Sequence, residues 1–214
     1  MGLFDGLANS ITREIKNQVR YETNREIRNQ TRKVINQVKN EAHNTMTGAN
    51  KTWTVVFDTV PTTLDEMLKL PESSLNTPEG TAALLILVLC NMPNNKDNAY
   101  QMVEYLCGPR GLSNMDRQFI NDRFLEGHNY IPRSYFEGST PSNNYTPNFP
   151  YTIKLYNSTV NSDNNMKTLL VQSSGADSKR DIQLRFKPST NQWFIWEYHI
   201  LSDIRKAAVD DPWA

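Results

Sequence analysis

The stretch that decides the fold is residues 77–92, which read TPEGTAALLILVLCNM. Thr77 is a favoured N-cap residue, Pro78 suits the first helical position, and Glu79 places an acid in the first turn. The residues that follow are apolar nearly all round a helix, so a helix over residues 78–92 offers no face to water. The sequence therefore predicts a buried central helix around which the rest of a domain packs.

Further helix signals flank this segment on both sides. Residues 63–66 (TLDE) form a capping-box pattern that opens a short helix to about residue 70. Residues 97–107 have helical spacing, and the Gly-Pro pair that follows them ends a helix. Residues 113–116 (SNMD) cap a further helix, which we expect to run to about residue 126. Four helices are therefore predicted in the N-terminal half of the domain.

The spacing of apolar residues changes from helical to alternating after residue 150. Alternation of polar and apolar residues is typical of antiparallel strands with one wet face. This alternation is found in one early segment, residues 52–58, and in four segments after residue 150, namely 151–156, 168–171, 181–187 and 192–198. Residues 200–208 suggest a short last helix. The sequence thus predicts an α+β fold, with a helical N-terminal half packed on a C-terminal antiparallel β-sheet.

The first 48 residues differ in composition from residues 49–214, and we predict a separate arm before the α+β domain. Although the whole chain has 23 basic and 23 acidic residues, residues 1–40 hold eight Lys or Arg against four acids, a net charge of +4. No proline interrupts the arm, so one long, extended, basic amphipathic α-helix is expected.

The arm carries a narrow apolar stripe that suits attachment. Three interpretations stay open: contact with another copy or with a protein partner, binding to an anionic membrane face, and a solvated helix docked on its own domain. Interleaved glutamates and scarce aromatic residues argue against nucleic acid. The residues predicted to make the membrane or partner contact are Leu3, Phe4, Leu7, Ile11, Ile15 and Val19.

The compartment is predicted to be the cytoplasm, with the inner face of the membrane as the alternative. The opening residues lack the apolar run of a secretory signal. The longest apolar run, residues 82–90, is shorter than the roughly 20 residues that a membrane span needs. Cys90 and Cys107 are expected to be buried, reduced thiols, and a disulfide between them is the alternative.

The segment 128–150 is long for a loop and unusually aromatic. We expect it to wrap the domain with its rings tucked in, and the alternative is a lid or peptide-binding surface in which Arg133 contacts an anion. Trp193 and Trp196 should lie on opposite faces of one strand, which leaves one of them as an exposed contact. The candidate binding surface is therefore Arg133, Tyr135 and Trp196.

The sequence lacks the common motifs of phosphate binding, nucleophilic catalysis and zinc binding. Residues 108–111 (GPRG) are too short for a phosphate loop, and residues 173–176 (SSGA) do not form a nucleophile elbow. The three histidines are scattered, and no two have the spacing of a zinc site. The sequence predicts no catalytic residue, no metal ligand and no cofactor.

The C-terminal part resembles a bacterial domain family of unknown function over about residues 70–214. The resemblance implies a shared fold and a bacterial intracellular origin, and it implies no activity. It is carried by residues 173–178 (SSGADS), 182–185 (IQLR), 192–198 (QWFIWEY), 202–205 (SDIR) and 211–214 (DPWA), with 77–80 and 121–130.

The function predicted from these features is that of a non-enzymatic interaction or scaffold protein. Its N-terminal helix would mediate self-association, partner binding or peripheral membrane attachment, while the domain binds a protein partner. The alternative is a small-molecule-binding protein or enzyme with a pocket between sheet and helices. A deep cavity with a buried Asp, Glu or His would favour that alternative.

Overall fold

The computed structural model describes residues 51–158 and 165–211. The predicted arm, including its apolar stripe from Leu3 to Val19, lies outside the described residues.

The predicted helices are present; three of them are shorter than expected, and the helix predicted at residues 97–107 begins one residue earlier. They are α1 (Leu64–Met67), α2 (Pro78–Leu89), α3 (Lys96–Cys107) and α4 (Asn114–Arg123). Each has a side-chain N-cap; in α2, for example, the Thr77 hydroxyl accepts a bond from the Gly80 amide at 3.3 Å. α4 ends three residues early because the chain continues as a 3-10 turn over Leu125–Tyr130.

Five strands form one antiparallel sheet in the order β1-β2-β3-β4-β5, which confirms the α+β class. In the sequence, β1 precedes α1–α4 and β2 follows them, yet the two strands pair in the sheet. The bounds of the five strands are β1 (Thr52–Phe57), β2 (Tyr151–Asn157), β3 (Met166–Val171), β4 (Arg180–Lys187) and β5 (Gln192–Tyr198).

The two faces of the sheet have different roles. The core face packs against α2, whose residues from Gly80 to Leu89 are all buried. The face turned away from α2, here called the outer face, carries polar and charged side chains such as Lys154 and Arg185, together with Phe194. The buried apolar side chains of the core face are Ile153, Leu155, Leu169, Val171, Ile182, Leu184 and Ile195.

The prediction of a last helix at residues 200–208 is wrong. The segment is irregular and ends in a 3-10 turn, Ala208–Asp210. Three carbonyl groups of this segment accept hydrogen bonds from tyrosine hydroxyls of residues 130–145. These bonds take the place of the bonds that a helix would form with its own amides. These bonds are Tyr135 to Ile200 (2.7 Å), Tyr130 to Ile204 (3.3 Å) and Tyr145 to Arg205 (2.7 Å).

The aromatic segment 128–150 therefore wraps the domain as expected. Tyr130, Tyr135, Phe136 and Tyr145 are all buried, and Tyr145 has no exposed surface. Phe149 is the exception, with 60% of its surface exposed. The rings that made the segment look like a binding surface mostly serve to hold the C-terminal segment.

Both cysteines are reduced as predicted, but only one of them is fully buried. Cys107 is buried, Cys90 is half-buried, and both are free thiols, so the disulfide alternative is wrong. Within residues 51–158 and 165–211, no helix combines the length and the hydropathy that crossing a bilayer would require.

Candidate functional site

A pocket of about 520 Å³ opens where the β4–β5 hairpin meets the turn that follows α3. Its wall is mostly apolar, and three cationic side chains are placed around it. It is lined by Cys107, Pro109, Arg110, Arg185, Phe186, Lys187, Pro188, Phe194 and Trp196. The pocket is of the size that small ligands and single peptide side chains occupy.

A β-bulge brings Trp196 to this pocket. Leu184 pairs with Ile195 and Gln183 with Glu197, so Trp196 is the extra residue of the bulge. Its ring is 38% exposed and lies under the guanidinium of Arg185, whose Cζ is 4.8 Å from the ring centroid. The distance fits a cation–π contact, and the exposed Arg185 side chain has no anionic partner among the described residues.

Trp193 occupies the opposite face of β5, as its spacing from Trp196 predicts. It packs on Phe186 of the neighbouring strand, with ring centroids 4.9 Å apart, and joins the edge of the core. The strand thus divides its two indoles between the core and the pocket.

The other wall of the pocket depends on a glycine. Gly108 has φ +56°, and a Cβ atom placed there would lie 2.1 Å from the Phe194 ring. Only glycine allows both this backbone conformation and the close approach of the ring. The turn after α3 is therefore pressed against the outer face of β5.

The charges around the pocket are unevenly matched. Arg110 pairs with Asp116 at 2.9 Å, and the same carboxylate accepts bonds from the Ser113 hydroxyl and amide in a capping box. Burial acts to raise the pKa of Asp116, but the bonds from Arg110 and Ser113 outweigh it, and the pKa is lowered. Arg185 and Lys187 form no ion pair with any residue of the described part of the chain. The pocket is therefore cationic.

The cysteine that lines the pocket is neutral. Burial raises the pKa of the Cys107 thiol to about 11, and the nearby Arg110 only partly offsets this. At neutral pH the thiol is protonated, which makes it a poor nucleophile and a small apolar contact.

The structure does not bring the three predicted surface residues together. Trp196 lines the pocket, whereas Arg133 and Tyr135 do not. Arg133 is exposed in a 3-10 turn, Pro132–Tyr135, close enough to Cys90 to influence its thiol. Tyr135 is only 3% exposed, which removes its ring from the surface.

Tyr135 instead borders a second cleft on the outer face. Here β3 separates from β2, and Phe136 bridges to Ile153 in its place. The cleft measures about 500 Å³ and is polar, with the ion pair of Glu137 and Lys154 across it. Its own charges are paired, in contrast to the cationic pocket.

Sequence reasoning found Trp196 but missed Arg185, Lys187 and Phe194. Alternation along β4 and β5 already places these side chains on the outer face, and that signal could have been used. The bulge and the contact with Gly108 have no comparable sequence signal, because they depend on how distant segments meet.

Among the side chains that the structure describes, no Asp, Glu or His is buried. No group of three or more His, Cys, Asp or Glu side chains in residues 51–158 and 165–211 is arranged to hold a metal ion.

A family model described as Domain of unknown function (DUF6935) matches residues 59–208. This match confirms the resemblance found in the sequence and starts somewhat closer to the N-terminus than residue 70. The last quoted piece of the resemblance, residues 211–214, lies beyond the matched range. No curated protein and no solved structure matches the chain.

Proposed function

We propose that this chain, which belongs to the family described as Domain of unknown function (DUF6935), acts as a non-enzymatic interaction protein. A protein partner docks in the cationic pocket between the β4–β5 hairpin and the turn after α3. The observation that carries this proposal is the exposed Trp196 stacked under Arg185 at the pocket.

Several properties of the pocket support a protein partner. Trp and Arg are the residues that most often contribute strongly to binding energy at protein interfaces. Stacking restricts the Arg185 side chain before the partner arrives, so less side-chain entropy is lost on binding. Because the Cys107 thiol that lines the pocket is neutral, an apolar side chain can be buried against it without leaving a charge unpaired.

Site-specific photo-crosslinking tests the proposal in cells that make the full chain. A photoreactive phenylalanine analogue replaces exposed Pro188 in the pocket or, as a control, exposed Lys179, which lies over the Tyr156 ring and outside the pocket. We expect one identified protein in adducts from position 188, lost when Arg185→Glu and Trp196→Ala are added. Adducts that are equal at both positions, or unaffected by these changes, would contradict a docking site here.

A second candidate function, small-molecule binding, is favoured by the volume of the pocket. About 520 Å³ lies within the usual range for ligand sites, and the pocket adjoins both the sheet and a helical segment. In the same experiment this function predicts no protein adduct at position 188. A metabolite that co-purifies with the full chain, but not with the Trp196→Ala variant, would then identify the ligand.

The role of the arm is a separate part of the proposal. It rests on the apolar stripe and the +4 charge of the sequence, and its three interpretations predict different outcomes. Flotation of the full chain with anionic vesicles, but not with neutral ones, supports membrane attachment. The matched variant carries Ser at Leu7, Ile11 and Ile15, and it should not float. If the unmodified chain does not float either, sedimentation of both proteins tests self-association through the same stripe.

A further inference from the structure

The two unpaired cations of the pocket lie on one strand with a defined spacing. Arg185 and Lys187 are two residues apart on β4, so both side chains project from the outer face about 7 Å apart. The same spacing separates side chains i and i+2 of any extended peptide. A partner segment in extended conformation can therefore place one carboxylate on each cation.

The aromatic part of the pocket lies next along the same row. Position 183 follows Arg185 on the outer face, and the bulge inserts Trp196 beside it. The Trp196 ring lies against Arg185 itself, so the exposed indole flanks the Arg185 end of the row. Phe194, which is paired with Arg185 across the strands, adds a second half-buried ring.

From this row we infer that the docking partner presents an extended acidic segment, with two carboxylates at alternate positions and an apolar or aromatic side chain two positions further on. The carboxylates pair with Lys187 and Arg185, and the apolar side chain packs against Trp196. Arg185 is exposed beside the Trp196 ring, so its guanidinium can donate two N–H groups to one carboxylate. This inference rests on the proposed function and names the chemistry of the partner.

Synthetic capped peptides test the spacing directly on the full chain. The alternating peptides are Asp-Ser-Asp-Ser-Phe and its reverse, because either chain direction fits the row. The control, Asp-Asp-Ser-Ser-Phe, has the same composition and charge with the carboxylates adjacent. Titration followed by Trp fluorescence or NMR should give at least one alternating peptide about fivefold lower Kd than the control.

Two variants locate the effect. Arg185→Gln should abolish the preference for the alternating peptide, whereas Lys179→Gln, which removes a cation stacked on Tyr156 elsewhere on the domain, should leave it unchanged. Equal thermal unfolding of both variants shows that the fold is intact. Equal affinity for all three peptides, or a preference that survives Arg185→Gln, refutes the inferred geometry.

The outcome also separates this inference from the function on which it rests. If no peptide binds but crosslinking from position 188 still yields one identified protein, the acidic-strand inference is wrong and the docking site stands. If crosslinking yields no protein as well, both are wrong.

Discussion

Gly108→Ala is the substitution that most directly tests how the pocket wall is built. Two effects act together at this position. The φ of +56° lies in the left-handed region, which L-residues rarely adopt, and the new Cβ would lie 2.1–2.8 Å from three atoms of the Phe194 ring. Because real Cβ atoms do not approach this closely, either the turn or the ring must move.

The size of each effect can be separated with a second glycine. Backbone strain costs about 1–3 kcal/mol, and forcing the ring aside adds about 1–3 kcal/mol of overpacking. Gly111 also has a positive φ, +66°, but its Cβ would meet only Glu104 Oε1 at 4.0 Å. Gly111→Ala should therefore show the strain alone, and Gly108→Ala should cost about 2–6 kcal/mol in total.

Urea unfolding followed by circular dichroism measures both free energies. The double variant Gly108→Ala/Phe194→Ala removes the ring that the methyl group would strike. Its loss in free energy of unfolding should be smaller than the sum of the two single losses by about 1 kcal/mol or more. Additive single effects, or equal losses for Gly108→Ala and Gly111→Ala, would refute the argument that Phe194 packs on the glycine.

Three further predictions concern stability. Leu85→Ala in the fully buried α2 should lower the free energy of unfolding by about 2–5 kcal/mol, measured in urea, because it leaves a cavity. Asp116→Asn should cost about 1–2 kcal/mol at pH 7 by removing the Arg110 ion pair and weakening the cap of α4. Folding lowers the pKa of Asp116, so its contribution to stability is complete above about 3.9, its pKa in the unfolded chain. The contribution fades as the pH falls through the lower pKa of the folded state. Urea unfolding curves of the unmodified protein and of Asp116→Asn should therefore converge in acid. Tyr145→Phe should cost about 1 kcal/mol, seen as a Tm lower by about 2–4 °C, because the Arg205 carbonyl loses its 2.7 Å hydrogen bond.

The elements that the sequence predicts well are those set by local patterns. The helix after Thr77 and the strand 181–187 each carry their signal within a dozen residues, as capping residues or as alternation. The helix predicted at residues 200–208 is wrong because the groups that compete for its carbonyl oxygens are far away in the sequence. The tyrosine hydroxyls that take its carbonyl groups come from residues 130–145, and no local pattern reports them.

The same distinction explains the candidate site. Trp196 could be predicted because alternation along a strand is local, whereas its bulge depends on the register with β4. Tyr135 was chosen for its aromatic neighbours, but its hydroxyl bonds to Ile200 and its ring is buried. Aromatic content alone does not distinguish a wrapping loop from a binding surface.

The pocket is preformed because both of its walls are tied to the core. On one side, the Trp193 amide at the edge of the sheet donates to the Leu75 carbonyl at 2.7 Å, which fixes the start of β5. On the other, Phe194 packs on Gly108 at the end of α3, where Leu106 and Cys107 are buried. A site held in this way needs little ordering when a partner arrives, so the entropic cost of docking falls mainly on the partner segment. Partner segments that are already extended should therefore bind more tightly than flexible ones of the same composition.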